Sequence, residues 1–288
     1  MATSNPTMPA SAIDLHMHST ASDGRLAPAA VVERAASRGV ELMALTDHDT
    51  LAGIDEAQSA ARRLGIRCLP GIELSARWAR GVVHIVGLGI DPAHPALTSG
   101  VAVQQAERRR RAARIGERLE RAGIAGISNR VAELVDKGVP GRAHFARALV
   151  ADGAVRDMQS AFDRYLQRGR PGYAAVQWAA IEEIVDWIHA AGGTAVFAHP
   201  LRYRLSRGAL RAALQSFVAA GGTAIEVSNG GGGRNDLVAA AALARRFGLS
   251  ASMGSDFHDP DFPWIEIGRL APIPGDLSPV WESMEAMA

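Results

Sequence analysis

Residues 13–49 open on Ile13-Asp14-Leu15-His16-Met17-His18 and close on Val40-Glu41-Leu42-Met43-Ala44-Leu45-Thr46-Asp47-His48-Asp49. Each of these stretches is a short apolar run with histidine at or next to its end. Between them, residues 27–38 carry a helical pattern that stops at Gly39, a residue type common just past a helix end. Strand, helix, strand in about this space describes two parallel strands with a crossover helix. The same alternation continues outward. Apolar runs recur at 67–69, 82–87, 194–198, 224–227 and 251–254, and helical patterns at 52–64, 181–191, 208–220 and 236–247. Gly65, Gly192, Gly221 and Gly248 follow those helices. Seven strand candidates with interleaved helices predict an α/β chain with a mostly parallel sheet, a TIM-like barrel one strand short of eight.

One stretch breaks the rhythm. Residues 98–170 hold no good strand candidate. Residues 101–122 read as a long Arg-rich helix, and 131–137, 143–150 and 158–168 as shorter ones. The chain therefore divides into a barrel of residues 13–97 and 171–288 and a helical insertion at 98–170, with the barrel resuming near 172–176. Residues 1–12 read as a frayed tail and 272–288 as a segment packed on the outside. The total of 288 residues suits one barrel with such an insertion.

Composition narrows the function. The net charge of +1 gives no basic coat for nucleic acid or a membrane surface. No run of about 18 apolar residues is present to span a bilayer, and the first dozen residues lack the apolar core of a signal peptide. The single cysteine, Cys68, excludes an intramolecular disulfide and a Cys-rich zinc site. A reducing cytoplasm is the expected compartment, and no stable protein partner is inferred.

The polar residues at strand ends carry the chemistry. His16 and His18 stand two apart in an extended segment, so both imidazoles point to one face. The second run ends in Thr46-Asp47-His48-Asp49 and the third in Gly71-Ile72-Glu73. The fourth carries His84, the fifth ends in Ala198-His199-Pro200, and the seventh in Gly254-Ser255-Asp256-Phe257-His258. Six of the nine histidines thus lie on or just after strand candidates. In a barrel those ends converge on one face, where catalytic residues gather. A mixed His/Asp/Glu set without Cys suits Mn²⁺, with Fe²⁺ or Zn²⁺ as alternatives. The candidate ligands exceed what one ion needs, so two or three ions sharing a bridging carboxylate are expected. Such a cluster suits phosphoester hydrolysis.

The set Asp14-Leu15-His16-Met17-His18-Ser19, Ser22-Asp23-Gly24, Leu45-Thr46-Asp47-His48-Asp49-Thr50, Pro70-Gly71-Ile72-Glu73, Ala198-His199-Pro200 and Gly254-Ser255-Asp256-Phe257-His258 resembles the PHP (polymerase and histidinol phosphatase) family. The match covers 13–97 and about 172–270. The resemblance implies a distorted (β/α)₇ barrel with a trinuclear metal site. It implies that His16, His18, Glu73 and Asp256 hold one ion. Glu73 would bridge to a second ion, also held by His84 and His199, and Asp23, His48 and His258 would hold a third. Some members have a His where this chain has the Ser22-Asp23-Gly24 turn. Asp47 would orient a ligand histidine instead of binding metal. His16, His18, Glu73, His199 and Asp256 are the residues expected to carry catalysis.

Within the insertion, Gly141-Arg142-Ala143-His144-Phe145-Ala146-Arg147 and Gly169-Arg170-Pro171-Gly172-Tyr173 are similar to the subgroup of this family that includes 3′,5′-nucleoside bisphosphate phosphatases. A related subgroup trims short RNA from its 5′ end. The resemblance implies a metal-dependent phosphatase acting on the 3′-phosphate of a nucleoside bisphosphate. Two alternatives stand beside it: a 5′→3′ exoribonuclease for short 5′-phosphorylated RNA, and a non-catalytic metal-binding module. Arg142, His144 and Arg170 are candidates to grip a second phosphate, since Arg offers paired donors to phosphate oxygens; the other reading has them cap or salt-bridge the insertion. The Glu107–Arg111 run reads as a solvated helix face, the alternative being that it steers an anionic substrate. His94 and His189 read as structural, and Gly230–Gly233 as a flexible loop.

Overall fold

A computed structural model describes residues 12–79, 81–135 and 138–285. All but residue 12 of the expected N-terminal tail, and residues 136–137 of the expected helix at 131–137, lie outside the described residues. Seven strands form one sheet in the order of the sequence: β1 (Ile13–Asp14), β2 (Leu42–Leu45), β3 (Arg67–Trp78), β4 (Gly81–Leu88), β5 (Thr194–Phe197), β6 (Ala224–Asn229) and β7 (Ser250–Gly254). The sheet curls nearly shut. Leu15 N donates to Met253 O at 3.0 Å and His18 N to Phe257 O at 2.9 Å, and Met17 bridges Phe257 in parallel. That seam brings the histidines after β1 beside those after β7.

The sheet is less parallel than expected. β4 runs antiparallel to both β3 and β5. β3 does not stop at residue 69 but continues through Pro70 and Gly71 to Trp78. β4 begins so soon afterwards that no crossover helix fits, and only an antiparallel return is possible. Gly71 is needed in this strand because a Cβ there would lie 2.9 Å from Leu45 O.

Helices α1 (Pro28–Ser37) and α2 (Ile54–Leu64) cover the first strands through Val31, Val32, Ala57 and Ala60, packed against Met43 and Leu45. Four further helices follow β4: α3 (Pro95–Arg121), α4 (Ile127–Glu133), α5 (Arg142–Ala151) and α6 (Met158–Ala161), the last running into a π-helical turn at Phe162–Leu166. They share a separate apolar cluster built on Ile115, Leu119, Ile127, Phe145, Leu149 and Leu166. The first turns of α3 belong to the barrel instead, since Leu97 and Val101 join its main cluster. Residues 172–176 form no strand; Ala174 packs into the insertion's cluster, and the chain meets the sheet at Arg77, which donates to Ala179 O and Trp178 O and bridges Ala180.

α7 (Ile181–Ala190), α8 (Arg207–Ala219) and α9 (Arg234–Phe247) complete the outer layer. Ile184, Ile188, Leu214 and Phe217 pack there on Ile85, Phe197 and Ile225. Leu15, Leu42, Val86, Leu88 and Val196 fill the barrel interior, joined by Val280 of α10 (Val280–Glu285), just past a bridge from Pro279 to β7. No helix among the described residues is long and apolar enough to cross a membrane.

Candidate metal centre and anion pocket

The C-terminal strand ends converge on a cup of six imidazoles and three carboxylates. Glu73 occupies its centre. One oxygen, Oε1, lies 3.0 Å from His84 Nδ1 and 2.9 Å from His199 Nε2. The other, Oε2, lies 2.8 Å from His48 Nδ1, 3.3 Å from His16 Nε2 and 3.4 Å from His18 Nε2. Asp256 Oδ1 lies 3.3 Å from His18 Nε2 and 3.7 Å from His16 Nε2. Asp23 Oδ1 lies 3.3 Å from His258 Nε2.

Four groups of these atoms are tight enough to hold a cation: His16, Glu73 and His199; His16, His18 and Asp256; His48, Glu73 and His84; and His18, Asp23, His48 and His258. All nine residues of the expected ligand set are therefore together. The partition differs from the one implied by the resemblance. His18, whose ring stacks on His258 at 4.0 Å, also joins the Asp23 group, and His48 is shared with Glu73 and His84.

The donor chemistry fits divalent metal ions. Asp23 Oδ1, His48 Nδ1 and Glu73 Oε2 are buried with no hydrogen-bond partner; His48 Nδ1 faces Glu73 Oε2, and Asp23 Oδ1 lies beyond the other edge of the same ring. Buried polar atoms are nearly always satisfied, and cations in the Asp23 group and in the group of His48, Glu73 and His84 would satisfy these three. Burial opposes ionisation of Asp23, Glu73 and Asp256, yet the facing imidazoles overcome it and hold all three well below the usual carboxylate range. Burial, with the imidazoles of His258 and His48, pushes His18 down to about 3, which leaves its ring neutral. Ionised carboxylates are the ligating form. Burial works against charge on His16, His48 and His258, but the facing carboxylates overcome it and hold these rings above the usual imidazole range, so a metal ion would have to displace their protons.

Backbone strain accompanies the cup. Asp49, His199 and Asp256 have positive φ of 51°, 28° and 56°. They are the non-glycine residues with positive φ among those described, and each lies at or beside a strand end of the site. Strain of this kind persists where surrounding structure over-determines it.

Further residues support the cup from behind. Glu226, buried in β6, takes His16 Nδ1 at 2.5 Å on one oxygen and accepts from His199 N at 2.6 Å on the other. The first contact fixes the His16 tautomer so that Nε2 faces the centre. Sequence reading passed over Glu226; its signal was a carboxylate inside the apolar run Ala224-Ile225-Glu226-Val227. Tyr203 accepts from His84 N at 2.7 Å, and Arg202 reaches Asp256 Oδ2 at 3.4 Å. Asp47 does not orient a ligand histidine. Its carboxylate accepts from Ser19 N, Ser19 Oγ and Ser22 Oγ at 2.7, 2.6 and 2.5 Å, and so braces the turn that presents Asp23.

A cavity of about 620 Å³ opens beside the cup, lined by Asp23, His48 and His84 on one side and by insertion residues on the other. Arg142 lines it, over the ring of Phe162. The other two expected phosphate contacts stand elsewhere. His144 is buried, and its Nδ1 accepts from Gly141 N at 3.0 Å, closing the start of α5. Arg170 lines a separate surface hollow with Arg156 and Arg164. In their place are Arg108 and Arg111 from α3. The run at 107–111 is therefore only half a solvated face: Arg109 and Arg110 are exposed, while Arg108 and Arg111 turn inward. The helical period was the available signal, since Gln104, Arg108, Arg111, Ile115 and Leu119 share one face.

Charge in this cavity is unbalanced. Arg108 Nε donates to Asp49 Oδ2 at 2.6 Å, and Asp49 also takes Ser75 N at 2.8 Å. Arg111 and Arg142 have no carboxylate partner among the described residues, and Arg111 Nε is buried and unpaired. Burial, followed by the charges of Arg142 and Arg108, pushes the Arg111 guanidinium down to about 9. An anion there would relieve the repulsion.

The sequence profile of the PHP domain matches residues 14–195. The chain belongs to the PHP-domain family. It is 47% identical to the 3′,5′-nucleoside bisphosphate phosphatase of Chromobacterium violaceum, over 95% of this chain and 96% of that protein. It is 44% identical to the 5′-3′ exoribonuclease Rnm of Escherichia coli, over 94% and 93%. Among solved structures, a protein from Chromobacterium violaceum, described as an amidohydrolase with bound sulfate and no metal, superposes with a TM-score of 0.91 at 46% identity, covering 96% of both chains. A chain from Bifidobacterium adolescentis, described as a metal-dependent phosphoesterase, superposes with 0.81 at 30% identity, again over 96% of each. This PHP protein is thus a hydrolase of phosphate esters with an α/β barrel and a site suited to divalent metal ions.

Proposed function

We propose that the protein removes the 3′-phosphate from 3′,5′-nucleoside bisphosphates, giving a 5′-nucleotide and phosphate. The observation that carries this reading is the pair of uncompensated guanidiniums, Arg111 and Arg142, in a cavity whose opposite wall is the cup. A site that holds one phosphate ester over the cup and a second anion on the insertion selects a substrate with two phosphates. Arg111 and Arg142 would grip the non-reacting phosphate, with Arg108 held alongside by Asp49. Phe162, Tyr173 and Trp178 line the same cavity and offer apolar faces to the nucleoside.

His16, His18, Asp23, His48, Glu73, His84, His199, Asp256 and His258 would hold two or three Mn²⁺ ions, with Glu73 shared between two. Bound divalent ions lower the pKa of water and neutralise phosphoryl oxygens. The residues behind the cup supply order. Glu226 keeps a proton on His16 Nδ1, and Arg202 steadies Asp256. We assign the protein to the cytoplasm, where its one free thiol needs no oxidising partner.

The test is to incubate the Mn²⁺-loaded protein with 3′,5′-bisphosphoadenosine and assay phosphate. Release with 5′-AMP as co-product is expected. No release, with turnover of another phosphomonoester, would remove the substrate assignment and leave the chemistry.

The exoribonuclease reading has its own support: Arg168 and Arg204 also line the cavity, and relatives at 44% identity bear that name. Cleavage of a short 5′-phosphorylated RNA, followed on a gel, separates it from the phosphatase. The polymerases that match cover only 21–26% of this chain, which leaves the non-catalytic module without support.

A further inference from the structure

α5 hands two guanidiniums to the site, and only the first, Arg142, faces the anion pocket. The second, Arg147, reaches the barrel. Its Nη2 donates to the main-chain oxygen of Asp23 at 2.5 Å. No ion pair joins it to the Asp23 carboxylate among the described residues, so Asp23 Oδ1 keeps its free lone pairs beside His258. Had the guanidinium paired with the carboxylate, it would compete with a cation for the same oxygen.

The turn that carries Asp23 needs outside support. Gly24 is pressed so close to the strand end that a Cβ there would lie 2.4 Å from His18 O. On the barrel side, Asp47 ties down Ser19 and Ser22, and Arg25 N donates to His258 O at 2.8 Å. On the other side the insertion holds it. Besides Arg147, Gly138 packs so tightly that a Cβ there would lie 2.5 Å from Ala21 O. The carbonyl of Asp23 itself is held by Arg147.

We propose that Arg147 is a positioning residue that fixes the Asp23 turn and so completes the cation position formed by His18, Asp23, His48 and His258. The insertion then does two jobs from one helix: Arg142 grips substrate, and Arg147 sets the affinity of the outermost ion. This rests on the reading of Asp23 as a ligand. Outer partners of ligands commonly alter metal affinity by about 10–100-fold when removed.

The experiment is equilibrium dialysis of the metal-stripped full chain against graded Mn²⁺, with bound metal counted by mass spectrometry. Arg147→Met keeps the apolar stem and deletes the donor. It is expected to fill one fewer site than wild type at limiting Mn²⁺, with the weakest-bound ion shifted by about tenfold or more. Excess Mn²⁺ should restore its turnover with KM for substrate unchanged. Arg142→Met should do the reverse, raising KM with the metal count intact. Arg147→Lys keeps a charged donor and should bind with intermediate affinity, and it carries the test if the Met variant does not fold. Asp23→Asn separates the two ideas. If it binds as many ions as wild type, Asp23 is no ligand and the proposal falls with that reading. If Asp23→Asn loses an ion while Arg147→Met binds Mn²⁺ like wild type, the clamp alone is overturned. Equal loss in the Met and Lys variants would also overturn it.

Discussion

Replacing Arg111 by Met should strengthen the free protein and weaken its grip on substrate. Arg111 has a buried, unpaired Nε, and burial together with Arg142 and Arg108 disfavours its charge. Replacing even a buried ion pair by apolar side chains of similar volume is often neutral or stabilising by about 1–4 kcal/mol, and Arg111 has no ion-pair partner to lose among the described residues. The head group lines an open cavity, so the low end, about 1 kcal/mol, applies. For a chain of this size that corresponds to roughly 2 °C in melting temperature. With the second phosphate bound, the same guanidinium would supply charge-assisted hydrogen bonds of about 1.5–3 kcal/mol. Their loss should raise KM for 3′,5′-bisphosphoadenosine by roughly 10–150-fold. KM for 3′-AMP, which lacks the gripped phosphate, should stay near the wild-type value. Thermal melts of the free protein and steady-state rates on the two substrates decide the matter. A variant that melts lower and raises both KM values equally would refute the charge argument, since Arg111 would then be a packing residue.

Glu226→Gln frees the His16 tautomer and should lower Mn²⁺ affinity by about 10–100-fold, measured by metal titration. Gly254→Ala places a Cβ 2.2 Å from His16 Cβ, and is expected to cost about 1–3 kcal/mol in urea unfolding and to displace His16 from the cup. Glu266 takes Arg34 in a fork at 2.8 and 2.7 Å and Arg38 at 2.7 Å. Although partial burial opposes its ionisation, those arginines hold it below its ordinary 4.5. Its contribution is therefore present above pH 4.5 and lost as pH falls through the lowered value. Glu266→Gln should cost about 1 kcal/mol at pH 7 and nothing in strong acid, read from unfolding curves at several pH values.

The barrel was legible because its signals are local. Short apolar runs, helical patterns and trailing glycines repeat along the chain, and seven strands follow from them. The cup was legible for a related reason, since strand ends converge and the histidines stand at those ends. The antiparallel β4 was not, because Pro70 and Gly71 resemble a strand's end although the strand runs through them. Charged residues in the insertion were read less well. Arg142, His144 and Arg170 look alike in sequence, yet one lines the cavity, one closes a helix and one faces another surface. How α3 and α5 dock on the barrel decides this, and docking leaves little local trace. Glu226 and Arg111 left weak traces, a carboxylate in an apolar strand and an arginine on an apolar helix face. Arg147 left none, because its partner is a main-chain oxygen far away in sequence.

The most direct measurement is phosphorus NMR on 3′,5′-bisphosphoadenosine mixed with the metal-stripped protein, in samples taken before and after Mn²⁺ is added and each cleared of the paramagnetic ion on a chelating resin before recording. The predicted course is an unchanged spectrum without metal. On addition, the 3′-phosphate resonance should disappear while inorganic phosphate and the 5′-phosphate of AMP grow in equal amounts. Loss of the 5′-phosphate first, or hydrolysis that proceeds equally without metal, would contradict the account.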